Sequence, residues 1–222
     1  MSSVVIAGAS GVVGARVLHH LVRRQDVDRV FAVGRRMLQV QHTKLVSKVA
    51  DLQSRTAVAA EIPETVSAGL CCLGTTMKQA GSKEAFRAVD YDAVVAFAQA
   101  ALEKGARRFL LVSSIGASAG SSNFYQRTKG QAEEALARLG FAQLIVLRPS
   151  LIDDDGARRD DRPAERLALP LARFVFRIVG RTRRYAPISA DVIARAMVRL
   201  AFEAATDRVR VVESDELHRL AG

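Results

Sequence analysis

Tyr125-Gln126-Arg127-Thr128-Lys129 sets a phenol and an ammonium four residues apart, a spacing that puts both on one face of a helix. A nearby ammonium favours the phenolate and draws a tyrosine pKa down from about 10 toward the working pH. A phenol held this way can pass a proton to or from a substrate oxygen while a hydride moves at the adjoining carbon. Ser113-Ser114 closes an apolar run shortly before, and a hydroxyl there can hold the same oxygen. Ser114, last on that run, is the first candidate, and Ser113 the second. Alone the pattern is cheap: with three Tyr and six Lys in the chain, chance supplies one in roughly one chain of twelve.

Its weight comes from a second stretch that supplies a place for a hydride carrier. Val4-Val5-Ile6-Ala7 is a β-branched apolar run long enough for one buried strand, and it enters Gly8-Ala9-Ser10-Gly11-Val12-Val13-Gly14. A helix-period segment follows, with Val13, Val17, Leu18, Leu21 and Val22 on one face. Strand, glycine turn and helix are the order a dinucleotide pyrophosphate needs. The glycines allow a tight turn and close approach, and the helix start offers free N–H groups and a positive dipole end. Gly8, Ser10, Gly11, Val12, Val13 and Gly14 therefore form the candidate cradle.

The elements that must position these groups alternate along the chain. Arg29–Val33 reads as a second strand ending in Gly34-Arg35-Arg36. A carboxylate at that strand end hydrogen-bonds the ribose 2′-hydroxyl of NAD; two guanidiniums suit a 2′-phosphate instead. The expected cofactor is NADP(H) rather than NAD(H), with Arg35 and Arg36 as its readers. Leu45–Val49 is a third strand closed by Asp51-Leu52, and 53–66 a short helix and loop. Gly69–Leu73 is a fourth, breaking at Gly74-Thr75-Thr76, where small residues let a cofactor lie against the backbone. Phe86, Val89, Ala93, Phe97 and Ala100 predict one long helix over Ser82–Lys104. Strand five is Arg108–Val112. A helix through Leu139 then carries Tyr125 and Lys129, and strand six, Gln143–Leu147, leads into Arg148-Pro149. A charged loop over 153–162 and an amphipathic helix from Pro163 to Val179, kinked at Pro170, read as a lid. A capped helix to about Ala204, a strand at Val209–Val212 and a terminal helix finish the chain. The expected fold is α/β, a Rossmann-type doubly wound, mainly parallel sheet in a single domain over 1–222. Residues 150–187 form its small lid-like substrate region.

Composition narrows the field. Net charge is +10, but the arginines are scattered and the aromatics do not interleave with them, which argues against nucleic acid. No run approaches the apolar length of a membrane span. His19-His20, His42 and His218 lack metal-ligand spacing, so no metal is expected. Cys71 and Cys72 are neighbours on a strand and point to opposite faces; two unbonded thiols suggest a reducing compartment, and the cytoplasm is the expected location.

These motifs together resemble the short-chain dehydrogenase/reductase superfamily. Gly8, Gly11 and Gly14 match its cofactor loop, Asp51 its adenine-contacting acid, Gly74 its backbone position beside the cofactor, and Ser114, Tyr125 and Lys129 its catalytic trio. More narrowly, Cys-Cys-Leu-Gly-Thr-Thr (71–76), Ser-Ser-Asn-Phe-Tyr (121–125) and Leu-Arg-Pro (147–149) resemble the atypical group of HIV Tat-interactive oxidoreductase-like proteins. The resemblance implies a nicotinamide cofactor, with Leu52, Leu73, Thr75, Ser113, Tyr125, Lys129, Arg148 and Pro149 completing its contacts. It also implies an NADP-dependent oxidoreductase acting on a small carbonyl or hydroxyl substrate. Two other readings use the same site: a cofactor-loaded regulator or sensor with a protein partner, and an epimerase or dehydratase on a nucleotide sugar. The last usually has a larger C-terminal substrate domain than this chain leaves after strand six. A homodimer is compatible with each.

Overall fold

The strand-forming runs pair side by side in a computed structural model that describes residues 2–63, 65–153, 185–204 and 207–222. In chain order these are β1 (Ser2–Ala7), α1 (Val12–Arg23), β2 (Val27–Gly34), β3 (Leu45–Val49), α2 (Arg55–Ala60) and β4 (Ala68–Cys71). Then come α3 (Met77–Ala80), α4 (Lys83–Arg87), a π-turn (Ala88–Asp92), α5 (Ala93–Glu103), β5 (Arg108–Val112), α6 (Phe124–Ala137) and β6 (Gln143–Arg148). After the short β7 (Ile152–Asp153) and β8 (Ile188–Ser189) follow α7 (Ala190–Phe202), β9 (Val209–Glu213) and α8 (Ser214–Ala221).

Seven strands form one sheet in the order β3-β2-β1-β4-β5-β6-β9, and every pair in it is parallel. The order reverses between β1 and β4, where the crevice for a ligand opens in this architecture. The Gly8 turn leaves β1 at that point. Side chains alternate along the strands, so the central strands feed two cores. Val4 and Ile6 pack with Val17 and Leu21 of α1 and Ile193 and Met197 of α7. Val5 and Ala7 pack on the other face with Phe97 of α5 and Leu136 of α6. The expected apolar face of α1 is the one buried, and Ser189 caps α7 by accepting the Val192 amide at 3.3 Å.

Two details depart from the sequence reading. β4 ends at Cys71, and Cys72 and Leu73 already belong to the exit turn. The single helix expected over Ser82–Lys104 is interrupted by the π-turn, a one-residue widening that re-aims side chains and recurs at functional sites. Most of the expected lid, including the charged loop and the helix kinked at Pro170, lies outside the described residues. The ends that flank it are joined. Ile152 pairs with Ile188 in a two-stranded parallel ladder, and the Ser150 hydroxyl donates to the Ala186 carbonyl. Among the described residues no helix is long and apolar enough to cross a membrane.

Candidate active site

The turn after β1 shows why glycine stands where it does. Gly8 has φ +81°, and a Cβ there would lie 2.5 Å from the Cys72 carbonyl carbon and oxygen at the end of β4. A Cβ on Gly14 would lie 2.1 Å from the Gly8 oxygen, so the first turn of α1 can pack on the loop only without a side chain. Gly11 closes the turn by donating its amide to the Gly8 carbonyl at 2.9 Å. It is also the N-cap of α1 and offers no capping side chain, and no acidic residue stands in the first turn. The helix start, with exposed Ser10 and half-buried Val12, thus presents amides and a positive dipole end to whatever enters the crevice. The loop fits a pyrophosphate.

Arg35 and Arg36 are exposed beyond the end of β2, and neither has an acidic partner among the described residues. Asp51, after β3, is exposed and accepts the Gln53 amide at 3.0 Å, while Leu52 behind it is buried in the core. Leu73 is buried. Gly74 stands where an added Cβ would come within 3.4 Å of the Lys129 Nζ and 3.5 Å of an Asp90 oxygen. The chain leaving β4 therefore passes the ammonium at Gly74 close enough that a side chain there would touch it.

Asn123 starts α6 by accepting the Gln126 amide at 3.2 Å, and Arg127 donates back to the carbonyls of Ser121 and Ser122 at 2.7 and 2.9 Å. Those bonds fix the small-residue loop that leads from β5. Gly130 lets the loop lie on the helix, since a Cβ there would sit 2.2 Å from the backbone of Ser118 and Ala119. Tyr125 is half-buried, its ring 5.3 Å from that of Phe86, and its hydroxyl bonds no other described residue. One turn on, Lys129 is only 5% exposed.

Lys129 Nζ lies 2.7 Å from Oδ1 of Asp90, which has no exposed surface. That ion pair is the Oδ1 atom's one partner among the described residues, and Oδ2 accepts the Thr75 amide at 2.9 Å. Burial works against the Lys129 ammonium, but Asp90, Tyr125 and Cys71 outweigh it and raise its pKa above the ordinary 10.5. Lys129 is thus a fixed positive charge beside the tyrosine.

The two serines at the end of β5 have different fates. Ser113 is buried and its hydroxyl donates to Glu133 of α6. Glu133 in turn holds the guanidinium of Arg148, which also reaches Glu213 at 3.7 Å. Ser113 and Arg148 thus have their side chains engaged in a strut joining α6, β5, β6 and β9. Pro149 contributes its carbonyl to the Ile115 amide at 2.9 Å. Ser114 is half-buried and its hydroxyl has only a long 3.5 Å contact with the Ile115 carbonyl, which leaves it free for a ligand. The two cysteines are unbonded. Burial pushes the Cys71 thiol up to about 12, and Cys72 Sγ lies 3.7 Å from Met197 Sδ.

Asp90, Glu133 and Gly130 are the members of this arrangement that the sequence reading missed, and Phe86 enters it only as part of a helix face. Asp90 lies four residues after Phe86 and three before Ala93, a spacing that shares their face, but apolar patterning does not select a carboxylate for it.

The chain matches the family described as NAD(P)H-binding over residues 8–169. It is 35% identical over 213 residues to "Protein fmp52, mitochondrial" of Aspergillus fumigatus, covering 92% of this chain and 88% of that one. It is also 35% identical over 169 residues to "Protein HTATIP2" of Rattus norvegicus, covering 75% and 68%. Among solved structures, a short-chain dehydrogenase/reductase family oxidoreductase from Burkholderia thailandensis superposes with TM-score 0.67 at 18% identity, covering 97% of this chain and 92% of that one. MoeE5 in complex with UDP-glucose and NAD gives TM-score 0.67 at 19% identity, covering 99% and 80%. Both share the fold.

The relatives overturn the cytoplasmic expectation: fmp52 proteins of several Aspergillus species and of Eremothecium gossypii are named as mitochondrial. Unbonded thiols separate reducing from oxidising compartments and cannot tell one reducing compartment from another. With the glycine turn at the strand reversal and relatives of this length and identity, the chain belongs to the NAD(P)H-binding, short-chain dehydrogenase/reductase-like oxidoreductase family that includes Fmp52 and HTATIP2.

Proposed function

We propose that the protein is an NADP(H)-dependent oxidoreductase that interconverts a small carbonyl compound and its alcohol. The observation that carries this reading is the Tyr125 hydroxyl, unengaged by any described residue, one helical turn from a buried ammonium that borders Gly74. When bound, the nicotinamide supplies or accepts the hydride. The chain's own residues do the rest. The α1 start and the Gly8–Gly14 turn would hold the pyrophosphate, with Asp51 and Leu52 toward the adenine and Leu73, Gly74 and Thr75 along the path onward. Tyr125 gives a proton to, or takes one from, the substrate oxygen, and Ser114 donates a hydrogen bond that holds the same oxygen in place. Lys129 keeps a positive charge beside the phenol, where it stabilises negative charge that develops on the reacting oxygens as the proton moves.

The test is direct. Nucleotide released from the purified protein is identified by mass spectrometry, and NADPH oxidation is followed across aldehydes, ketones and quinones. Turnover of at least one carbonyl class is expected. NADPH bound but oxidised by no member of the panel would point instead to a cofactor-loaded regulator.

Preference for NADP(H) follows from the two exposed guanidiniums after β2. A lost charge-assisted contact to the 2′-phosphate costs about 1.5–3 kcal/mol, so the alanine variant of whichever arginine reads it should bind NADPH about ten- to a hundredfold more weakly. NADH binding should hardly change. Equal losses for both cofactors in Arg35→Ala and in Arg36→Ala, read by calorimetry, would show that neither side chain reads the phosphate.

A further inference from the structure

The face of α6 that carries Tyr125 and Lys129 meets a matching pair, also four residues apart. Phe86 is fully buried with its ring 5.3 Å from Tyr125, and Asp90 is fully buried with an oxygen 2.7 Å from Lys129. The other Asp90 oxygen takes the Thr75 amide at 2.9 Å. Three pieces of chain therefore converge on one carboxylate: the exit of β4, the π-turn and α6. Resting on the catalytic reading of Tyr125 and Lys129 above, we propose that Asp90 is a positioning residue. It fixes the Lys129 ammonium against the loop that follows β4 and, with Phe86, sets the aim of Tyr125.

Packing alone does not explain an acid here. A buried ion pair is often no more stabilising than apolar residues of similar volume, whereas a lone buried charge is strongly unfavourable. What a paired carboxylate gives that an apolar side chain cannot is a fixed ammonium in a place with almost no water. The groups that face Lys129 are Asp90 from the π-turn, Tyr125 from α6 and Cys71 from β4. Asp90 touches the ammonium and also anchors the Thr75 amide. The π-turn is consistent with this role, because such a widening turns one helical side chain away from its regular direction.

Asp90→Asn keeps the shape and an acceptor for the Thr75 amide while removing the charge. The full chain, carrying lysine labelled with carbon-13 at Cε, reports the Lys129 titration directly; its resonance is the one lost in Lys129→Arg. In the wild type Lys129 should titrate above 10.5. In Asp90→Asn burial should prevail and the midpoint should fall by at least about one pH unit. With NADPH and an accepted carbonyl substrate, kcat should fall about ten- to a hundredfold with KM little changed, and its high-pH limb should move down with Lys129. Asp90→Glu should restore the titration and give a kcat between the two. A Lys129 midpoint unmoved in Asp90→Asn overturns the proposal even if turnover is lost. Should Asp90→Asn not fold, Asp90→Glu carries the test, and a wild-type kcat there overturns the positioning role. Failure of the underlying reading looks different: no wild-type turnover, yet a lowered Lys129 midpoint in Asp90→Asn, which leaves Asp90 as the anchor of Lys129.

Discussion

Tyr125→Phe should lower turnover by about 10²–10⁴-fold, the range general acid–base catalysis usually contributes, while NADPH binds as before. The change removes one hydroxyl, and that hydroxyl makes no bond to another described residue. The ring stays packed on Phe86, so melting temperature should hardly move. Ser114→Ala should also spare folding and cofactor binding, and should cost about 10²–10³-fold by leaving the substrate oxygen poorly held. Lys129→Met is different in kind. It leaves Asp90 buried without its counter-charge, a defect of about 3–5 kcal/mol. Because the folded-state pKa of Lys129 is raised, its stabilising contribution is complete below pH 10.5 and fades only as pH climbs through the folded value. At neutral pH the variant loses all of it. Stopped-flow turnover beside calorimetric melting separates the three cases. A Tyr125→Phe protein that turns over like the wild type would remove the phenol from the chemistry.

The sequence exposed some of this site and hid the rest for physical reasons. Strand, glycine turn and helix are contiguous, so the cradle at Gly8–Gly14 could be read from local pattern alone. Tyr125 and Lys129 share a helix face, and that too is local. Asp90 is a long-range fact. Apolar spacing selects Val89 for the inner face, and Val89 is only half-buried; the position that is fully buried carries a charge, which a hydrophobic template passes over. What makes a buried Asp admissible is Lys129, 39 residues on, in an element that only the parallel order of β4, β5 and β6 brings near. The choice between Ser113 and Ser114 was likewise open in sequence. Alternation puts them on opposite faces, and Glu133, two turns after Tyr125, takes the hydroxyl of Ser113. Gly130 looks like an ordinary flaw in a helix until the loop from β5 is laid across it.

The three loop glycines read alike as a motif, yet their surroundings predict unequal costs for alanine. At Gly11 an added Cβ would meet only the Gly8 oxygen, at 3.2 Å, a contact that a few tenths of an ångström relieves. Gly11→Ala should lower stability by less than about 1 kcal/mol, in the range of surface changes, and should weaken NADPH chiefly by crowding the crevice. At Gly8 two penalties add. The φ of +81° costs an L-residue about 1–2 kcal/mol, and the new methyl would sit 2.5 Å from the Cys72 backbone. Relief would require β1 and β4 to part at the strand reversal, and overpacking of that kind costs a further 1–3 kcal/mol, roughly. Gly14 keeps a helical backbone but would drive its methyl to 2.1 Å from the Gly8 oxygen, lifting α1 off the turn. Gly8→Ala should therefore lose about 2–5 kcal/mol and Gly14→Ala about 1–3 kcal/mol or more, either failing to fold in the worst case, and any folded fraction should bind NADPH at least about a hundredfold more weakly, since the amides no longer converge. Denaturant melts and nucleotide titrations of the three variants give the ordering. A Gly14→Ala protein as stable as Gly11→Ala would mean that α1 does not pack on the loop as described.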